Sequence, residues 1–395
     1  MDNTIYKQTA IGLIPNDWEV KKLSDVSKVI MGQSPDSKNY FDYEIGMPLL
    51  QGNADIKERK SIKRIWTNQI TKVCEENDIV MSVRAPVGTI AKASFKSCIG
   101  RGICSIQSNE LINKQFLYFY LEKHETNWTR LSQGSTFESI NSDDIKLLKI
   151  PLPPLPEQQK IAEILATWDI AINTNKLVLE ELVKQKKWLA YNLLFNKNEK
   201  NNLVPLSKLL DRVKNPFTPN PQKYYKQIGI RSHAKGIFYK EEVSGLDLGN
   251  KSVFHIEPNC FILNIVFAWE HAIAKTTLNE VGMIASHRFP MFKPVANKLD
   301  LDYLLHFFKS QKGKDLLGLA SPGGAGRNKT LGQSEFLKLK IPVPSIEEQK
   351  TIAEVLDKAD HEILLYKEKI ANLELQKKGL MQQLLTGKTR VRTNN

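Results

Sequence analysis

Three short segments approach motifs that handle phosphate groups or methyl transfer. GGAGRNKT (323–330) is close to the phosphate-binding loop G-x-x-x-x-G-K-T, but Asn328 stands where that loop requires glycine, and a helix-like stretch precedes it. KNPFTPNP (214–221) lacks the second proline of the N-P-P-F/Y motif of methyltransferases. Glu58 and Lys60 have the E-x-K spacing of some nucleases, without an acidic residue on a preceding strand. These segments therefore predict no catalytic centre.

The cysteines and histidines do not predict a metal centre. The 4 cysteines show no C-x-x-C spacing, and the 7 histidines form no H-E-x-x-H arrangement. We therefore expect reduced, buried thiols, no metal and no cofactor. The sequence also has no long apolar run and no signal-peptide pattern, which favours a soluble protein of the cytoplasm.

The positive charge is concentrated in particular parts of the chain. The net charge is +13 over 395 residues. Residues 200–340 hold 21 Lys and Arg against 11 Asp and Glu, whereas residues 1–150 hold 20 against 18. Residues 157–199 and 341–395 are almost balanced. Because clustered basic residues displace counterions from phosphates, this pattern favours a polyanionic partner.

One segment occurs twice and divides the chain into two similar halves. IPLPPLPEQQKIAEILATWDIAI (150–172) and IPVPSIEEQKTIAEVLDKADHEI (341–363) share 11 of 23 residues at a shift of 191 positions. A weaker match extends into the halves, where DIVMSVRAPVGTIAKA (78–93) aligns with FILNIVFAWEHAIAKT (261–276). Both of these are typical of a strand, a turn and a second strand. The sequence therefore predicts an internal repeat with pseudo-two-fold symmetry.

Each copy of the repeated segment begins a long helix with a heptad seam, in which residues recur at alternating steps of four and three. The first seam consists of Ile161, Leu165, Trp168, Ile172, Asn175, Leu179, Leu182, Lys186, Leu189 and Leu193. The second consists of Ile352, Leu356, Ala359, Ile363, Tyr366, Ile370, Leu373, Lys377, Leu380 and Leu384. Such a seam needs a partner. An antiparallel pair within one chain is the economical arrangement, and homodimerisation through the same seams is the alternative.

Both seams are interrupted by a lysine at equivalent positions, Lys186 and Lys377. A polar residue in a seam penalises slipped registers. Alternatively, the stem of each lysine lies along the edge of the seam and its ammonium group stays in water. The sequence leaves both interpretations open.

The helices and the two halves together predict the architecture. In each half, strand-like runs alternate with Gly, Asn and Asp turns, and a helix follows at FLYFYLEKH (116–124) or LDYLLHFFKS (301–310). We predict an α+β fold with two domains, each a mostly antiparallel sheet with helices, separated by a long antiparallel intramolecular coiled coil. The expected boundaries are 1–156 and 200–346 for the domains, 157–199 for the first helix, and 347–395 for the second helix and its tail.

The repeated I-P-x-P-x-x-x-E-Q-x-x-I-A-E-x-L signature, placed between two variable domains, resembles the specificity subunit of type I restriction-modification systems. TAIGLIPNDWEVKKLSDV (9–26) is similar to the N-terminal signature of that family. DIVMSVRAPVG (78–88) and QGST (133–136) also look like family motifs. The second half departs from the pattern, because NEKNNLVPLSKL (198–209) lacks the G-x-I-P-x-x-W motif.

The resemblance implies a function and a set of partners. Such subunits are not catalytic: two target-recognition domains each read one half of a split, asymmetric sequence in double-stranded DNA. The paired helices space the domains and dock two copies of the modification (methyltransferase) subunit, and a restriction/translocase subunit completes the complex. Independently, a helix of about 40 residues spans about 60 Å, more than the roughly 34–36 Å between half-sites one turn of B-DNA apart.

We expect DNA contacts from polar and basic residues on glycine-rich loops, where the backbone can approach the duplex. Gln and Asn pair with adenine edges and Arg with guanine, whereas Lys mostly meets phosphate. The candidates in the first domain are Gln51, Asn53, Lys57, Arg59, Lys60, Lys63, Arg64, Arg84, Arg101, Gln133, Ser135 and Thr136. The candidates in the second domain are Arg231, Ser232, His233, Lys235, His287, Arg288, Arg327, Asn328 and Lys329.

Two other classes of protein remain open at this point. One is a self-contained DNA methyltransferase or nuclease with a divergent catalytic site. The other is a self-assembling coiled-coil adaptor with no role on DNA. Assays of the purified chain for methyl transfer and cleavage, and binding to bipartite DNA, distinguish these classes from a recognition subunit.

Overall fold

The computed structural model describes residues 5–132, 139–196, 203–249, 252–323 and 329–392. The chain divides into two compact units. The first unit comprises Met1–Lys176 and Glu368–Asn395, and the second comprises Leu177–Lys367. Each unit therefore combines a globular domain with one part of each long helix.

The two long helices are Leu155–Tyr191 and Ile346–Leu384, and they contain the heptad seams except for Leu193, the last residue of the first seam. A π-helical turn, Asn192–Asn196, follows the first of them. Helices of this length bury little of their own surface, so their stability depends on packing against a partner. In both units that partner is the other long helix of the same chain.

Ion pairs establish the direction in which the helices pair. In the first unit, Lys176 Nζ lies 2.6 Å from Glu374 Oε1, and Lys377 Nζ lies 2.6 Å from Asp169 Oδ1. Residue numbers therefore rise along one helix as they fall along the other. The predicted antiparallel pairing within one chain is confirmed.

The two seam lysines occupy equivalent positions and make equivalent contacts. Lys186 pairs with Asp360 in the second unit, as Lys377 pairs with Asp169 in the first. The side chain of Lys186 is 22% exposed and that of Lys377 is 9% exposed. Because a shifted register would separate each partly buried lysine from its carboxylate, both residues act in setting the register.

In the described part of the first domain, the strands form two larger sheets and two ribbons, accompanied by three short or medium α-helices. The six-stranded sheet has the spatial order Ser27–Met31, Ile103–Ser108, Ile79–Ser82, Ile90–Lys92, Lys60–Ser61 and Ile56–Lys57. The five-stranded sheet has the order Val73–Cys74, Ser97–Ile99, Met47–Leu50, Trp66–Thr67 and Tyr40–Phe41. The ribbons pair Tyr6–Thr9 with Gly12–Pro15, and Glu19–Lys22 with Lys149–Leu152. The helices are Leu23–Val26, Lys114–Ser132 and Ser142–Lys146.

The second domain has a similar plan with fewer strands among its described residues. Its four-stranded sheet has the order Leu210–Val213, Met291–Pro294, Phe261–Leu263 and Ile273–Lys275. Its five-stranded sheet has the order Pro216–Phe217, Val253–His255, Ile284–Ser286, Tyr224–Ile230 and Ile237–Ser244. Its ribbon pairs Leu203–Pro205 with Lys340–Pro342. Its helices are Gly245–Leu248, Leu301–Lys309, Gln311–Leu319 and Gln333–Lys338.

Most neighbouring strands of the described residues are antiparallel. Three pairs are parallel, namely Met47–Leu50 with Ser97–Ile99, Lys60–Ser61 with Ile90–Lys92, and Tyr224–Ile230 with Ile284–Ser286. The predicted α+β class with mostly antiparallel sheets is confirmed. The domain boundaries drawn from the sequence stay a prediction.

A hydrophobic core joins each domain to its part of the long helices. In the first unit, Phe116 lies in one buried cluster with Ile161 and Leu165 of the first long helix. In the second, Phe308 shares a cluster with Leu356 of the second long helix. Among the described residues, no helix has both the length and the apolar character needed to cross a membrane.

The glutamine of the repeated signature ties the start of each long helix to its domain. Gln158 is 1% exposed. Its Oε1 accepts a hydrogen bond from the backbone N–H of Asn113 at 2.7 Å. Its Nε2 donates to the carbonyl oxygens of Leu111 at 3.2 Å and Pro153 at 2.8 Å. The side chain thus joins the turn before the long helix to the turn before helix Lys114–Ser132.

The second copy of the signature makes the same three bonds. Gln349 Oε1 accepts from the backbone N–H of Asp300 at 2.8 Å. Its Nε2 donates to the carbonyl oxygens of Lys298 at 3.0 Å and Pro344 at 2.9 Å. The repeated sequence segment therefore forms the same hydrogen-bonded junction in both halves.

Among the described residues, a second junction of this kind occurs in the first unit and not in the second. Trp18 Nε1 donates to Glu157 Oε2 at 2.9 Å. Arg390 donates to Glu157 Oε1 at 2.7 Å and to Asp17 Oδ2 at 2.7 Å, and the bond to Glu157 raises the pKa of Arg390. The second half lacks the tryptophan motif, and Glu348, the equivalent of Glu157, is half-buried.

Replacing Gln158 by alanine is expected to destabilise the protein. The change removes three hydrogen bonds, to the backbone of Asn113, Leu111 and Pro153, of which the bond to Pro153 is buried, at a cost of about 2–4 kcal/mol in the free energy of unfolding. Urea unfolding of the two proteins measures the difference. The neighbouring Gln159→Ala changes an exposed side chain and is the matched control, with an expected effect below about 0.5 kcal/mol. Equal effects of the two substitutions would contradict the assignment.

Candidate nucleic-acid interface

Three of the loops that meet at one edge of the first domain carry predicted DNA contacts. The backbone N–H of Gly100 donates to the carbonyl of Leu50 at 2.8 Å, and that of Val83 donates to the carbonyl of Gly102 at 2.9 Å. These bonds place Gln51, Arg84 and Arg101 on adjacent loops, and both arginines are exposed. A fourth loop joins them through Ser34, whose Oγ accepts from the backbone N–H of Arg101 at 3.1 Å. These four loops are called the first reading face below.

Glycines allow the loops of the first reading face to approach each other closely. A β-carbon at Gly102 would collide with the carbonyl oxygen of Gln51. A β-carbon at Gly32 would collide with the carbonyl oxygen of Gly100. The face is therefore built from backbone in van der Waals contact, and its side chains project from a surface with little freedom to move.

The basic hairpin beyond Gln51 is partly engaged in internal contacts. Asp55 is buried, accepts from the backbone N–H of Gln51 at 2.7 Å and pairs with Arg64 at 3.2 Å. Arg59 pairs with Glu125 and lies 3.6 Å from Glu122. Both arginines thus have structural partners inside the domain.

The remaining candidates of the first domain are mostly exposed. The lysine side chains lie on the surface, and one of them has an acidic neighbour at 3.7 Å, in the pair Lys63–Glu44. Asn53 is half-buried, with its Oδ1 unpaired among the described residues. The predicted contacts Gln133, Ser135 and Thr136 lie outside the described residues. The chain after these residues lies next to the first reading face, because the backbone N–H of Ile140 donates a hydrogen bond to the carbonyl of Val83 at 3.0 Å.

In the second domain, the tip of the long hairpin brings four predicted residues together: Arg231, Ser232, His233 and Lys235. The backbone N–H of Arg231 donates to the carbonyl of Gly236 at 3.0 Å, which closes the tip. The N–H of His233 donates to the carbonyl of Glu270 at 2.7 Å, and Ser232 Oγ donates to Glu270 Oε2 at 3.0 Å. The turn that contains Glu270 therefore holds the tip in place.

The same turn also gathers residues from the end of the domain. The backbone N–H of Ile265 donates to the carbonyl of Arg288 at 3.0 Å, and that of Leu331 donates to the carbonyl of Ile265 at 2.8 Å. Lys329 Nζ lies 5.8 Å from the centre of the Trp269 ring. The tip, this turn, Arg288 and Lys329 form what is called the second reading face below. His287 is exposed beside Arg288, whereas Arg327 and Asn328 lie outside the described residues.

The two faces are built from equivalent parts of the repeat. The bond from Ile140 to Val83 corresponds to the bond from Leu331 to Ile265. In both domains the strand that leads into the face is paired in parallel with its neighbour. The side chains on equivalent loops differ, however. Gln51 follows the parallel-paired strand in the first domain, and Arg231 holds the equivalent position in the second.

Trp269 and His271 belong to the second reading face but were not among the predicted contacts. The alignment of 78–93 with 261–276 places them opposite the loop that carries Arg84, so the repeat itself contained the signal. Burial, together with the charges of Lys314 and His233, lowers the pKa of His271 below its usual value. The imidazole is therefore neutral near pH 7 and can either donate or accept a hydrogen bond.

Comparison with known proteins identifies the family of the chain. The family model described as type I restriction modification DNA specificity domain matches residues 15–184 and 213–375. The chain belongs to this family. The family supplies DNA specificity and is not itself catalytic, and the alternative of a self-contained methyltransferase or nuclease has no support. Within the described residues, no group of three or more His, Cys, Asp or Glu is arranged to hold a metal ion.

Two curated relatives are from Methanocaldococcus jannaschii. The MjaX specificity subunit is 40% identical over 49% of this chain and 46% of that protein. The MjaVIII specificity subunit is 26% identical over 97% of this chain and 95% of that protein. The chain thus spans about half the length of the first relative and nearly all of the second.

Two solved structures share the fold. The S subunit of the type I restriction-modification system of M. genitalium has a TM-score of 0.59 and 14% identity over 97% of both chains. A chain from a study of assembly and conformational transition of the type I R-M system has a TM-score of 0.58 and 15% identity, covering 95% of this chain and 99% of that one. The predicted architecture is therefore that of known S subunits.

Gly102→Ala is expected to disrupt the first reading face. The added methyl group collides with backbone of the Gln51 loop, which cannot rotate away as a side chain can, so the two loops must separate. The expected cost is about 1–3 kcal/mol in the free energy of unfolding, with weaker DNA binding. Gly52→Ala is the matched control, because a β-carbon there meets nothing within 4 Å. Thermal unfolding and a gel shift compare them, and a Gly102→Ala protein that matches the control would refute this account of the loops.

Proposed function

We propose that this chain is the DNA-recognition and scaffold subunit of a type I restriction-modification complex in the cytoplasm, and that it reads a bipartite, asymmetric site in double-stranded DNA. One reading face takes each half-site. The observation that carries the proposal is the pair of equivalent faces with unlike side chains. Recognition of two different half-sites requires two loop backbones of similar arrangement that carry different side chains.

In the first domain, Gln51, Arg84 and Arg101 are the proposed base contacts. An amide pairs with the N6 and N7 positions of adenine, and a guanidinium pairs with O6 and N7 of guanine. These three side chains lie on loops whose backbones are fixed by hydrogen bonds, so they are pre-positioned for such contacts. We propose that Asn53, Lys57, Lys60 and Lys63 contact the phosphates beside this half-site.

In the second domain, we propose base contacts from the hairpin tip and from Arg288. Within this set we assign Lys235 and Lys329 to phosphate, and we propose His287, next to Arg288, as a further contact. The indole of Trp269 packs near Lys329 and so limits the positions of that ammonium group. Gln133, Ser135, Thr136, Arg327 and Asn328 are proposed contacts on the segments that continue each face.

The proposal gives Arg59 and Arg64 structural roles in place of DNA contacts. Each faces a carboxylate, Glu125 and Asp55 respectively, and the Asp55 side chain is almost fully buried. Withdrawing either arginine towards DNA would leave that carboxylate uncompensated. We retain 1–156 and 200–346 as recognition domains, 157–199 as the first spacer helix, and 347–395 as the second with its tail.

The partners proposed for the scaffold are two copies of the modification subunit and a restriction/translocase subunit. One solved relative comes from work on assembly of the type I R-M system. In the second unit, the long helices expose large apolar side chains, with Trp188 66% exposed and Leu365 49% exposed. Exposed groups of this kind mark surfaces that bind other proteins. We propose that they contact a modification subunit.

Arg101→Ala is expected to lower affinity for the cognate site about tenfold or more and to relax one base position in one half-site, because a bidentate contact with guanine is lost. Lys57→Ala is expected to weaken binding of all sequences alike and to reduce the salt slope by about one. Methylome sequencing of cells that express the chain with its modification subunit supplies the site, and gel shifts at several salt concentrations supply the affinities. Lys358→Ala, an exposed residue of a long helix, is the control. No methylation at any bipartite motif with the wild-type chain would refute the function itself.

Trp188→Glu is expected to weaken binding of the modification subunit at least tenfold while DNA binding by the chain is retained, since a large apolar contact becomes a charge. Co-purification and titration of the two subunits measure this. Lys187→Glu places the same charge on the neighbouring exposed position and is the control. If both variants assemble as the wild type does, Trp188 lies outside the docking surface.

A further inference from the structure

In the first unit, Lys377 joins three separate elements through one ammonium group. Its Nζ lies 2.6 Å from Asp169 on the other long helix and 3.0 Å from Glu122 on the domain helix Lys114–Ser132. The ring of Phe119, on the same domain helix, lies 5.0 Å away. The residue that sets the register of the helices is therefore also the point where the first domain attaches to them.

Glu122 extends this junction into the sheet of the first domain. Its carboxylate is 13% exposed and lies 3.6 Å from Arg59 Nε. Arg59 pairs in turn with Glu125, whose Oε1 accepts from the backbone N–H of Ile90 at 2.7 Å. Burial raises the pKa of Glu122, and the charges of Lys377 and Arg59 act in the opposite direction. The two cations therefore favour the ionised form of Glu122.

The domain helix that carries Glu122 also supports the first reading face. Trp128, two turns further along, is 1% exposed and packs against Gly88, where a β-carbon would lie 2.7 Å from Trp128 Cβ. Gly88 belongs to the loop that begins at Arg84. A rotation of this helix relative to the long helices would carry the reading face with it.

The equivalent junction of the second unit has a different charge arrangement. Gln158 and Gln349 bond to equivalent positions before the two domain helices, Asn113 and Asp300. Counted from these positions, Lys309 is the equivalent of Glu122. Lys309 Nζ lies 3.8 Å from Asp360 Oδ2, the carboxylate that Lys186 already engages. Two cations there share one carboxylate, whereas in the first unit Lys377 bridges two carboxylates. The domain helix of the second unit is also joined to the long helix by a hydrogen bond, since His306 Nε2 lies 2.8 Å from Asp357 Oδ1.

We propose that Glu122 is a positioning residue that fixes the angle of the first recognition domain on the paired helices, and so restricts the length of spacer accepted between the two half-sites. This inference rests on the proposed function. One base pair changes the position of a half-site by about 3.4 Å and its orientation by about 35°. A domain held by a buried, three-way ion pair cannot follow such a rotation without losing that pair. A domain released from it can.

The test is methylome sequencing of cells that express the modification subunit with either the wild-type chain or Glu122→Gln. We expect the variant to methylate the same two half-site sequences. We also expect methylation at sites whose spacer is one base pair longer or shorter to rise about tenfold relative to sites of native spacing. Glu110→Gln removes an exposed carboxylate of the same domain and is the control, with the wild-type pattern expected.

A second variant covers the case in which Glu122→Gln does not fold. Glu122→Leu combined with Lys377→Met replaces the two most buried charges by apolar groups of similar size, a change that folded proteins commonly tolerate, and the remaining carboxylate of Asp169 is 35% exposed and so keeps contact with water. Lys309→Gln in the second domain is expected to have a smaller effect on spacer choice, because the ion pair that it removes is longer.

Two results would overturn the inference. One is an unchanged spacer distribution in a folded Glu122 variant. The other is loss of the first half-site sequence itself, which would place the effect on the reading loops and not on the angle of the domain. Failure of the proposed function is a separate result, because the wild-type chain would then give no bipartite methylation at all.

Discussion

The buried carboxamide of one glutamine in each half is the interaction on which both units depend. Where the chain leaves a domain and enters a long helix, backbone groups from two separate turns meet one buried side-chain amide. Gln158 and Gln349 each satisfy three of these groups, one as acceptor and two as donor. An unsatisfied buried group is costly, so the direction of the helix relative to its domain is narrowly set. Each heptad seam then begins at a fixed position relative to its domain, and the pairing of the two long helices depends on that position.

The long helices and the class of the fold could be predicted because their signals are local and periodic. Alternating steps of four and three, continued through each helix, define a seam whatever the distant parts of the chain do. The repeat supplied the rest, since two equal seams in one chain favour mutual pairing. Side-chain partnerships lack such a period. Nothing local to Lys377 identifies Glu122, 255 positions away, as its partner, and the sequence left two roles open for that lysine.

The reading faces show the same limit at the level of single residues. Arg84 and Arg101 project from loops fixed by glycine and backbone bonds, as expected from their neighbours in sequence. Arg59 and Arg64 have the same composition around them but lie against carboxylates. Arginine suits phosphate, guanine and buried carboxylate equally well, so residue type alone cannot distinguish these roles. Trp269 was missed for the converse reason, because an aromatic residue in a turn is more often part of a core.

The ion pair between Arg390 and Glu157 affects the order in which the two domains are completed during synthesis. The two residues are 233 positions apart, and Glu157 is almost fully buried. Its other described partner, Trp18, donates a hydrogen bond without neutralising the charge. While the second domain is being synthesised, the nascent chain lacks Arg390 and also Met381, Leu384 and Leu385, which belong to the buried core of the first unit. The domain that is translated first is therefore the one completed last.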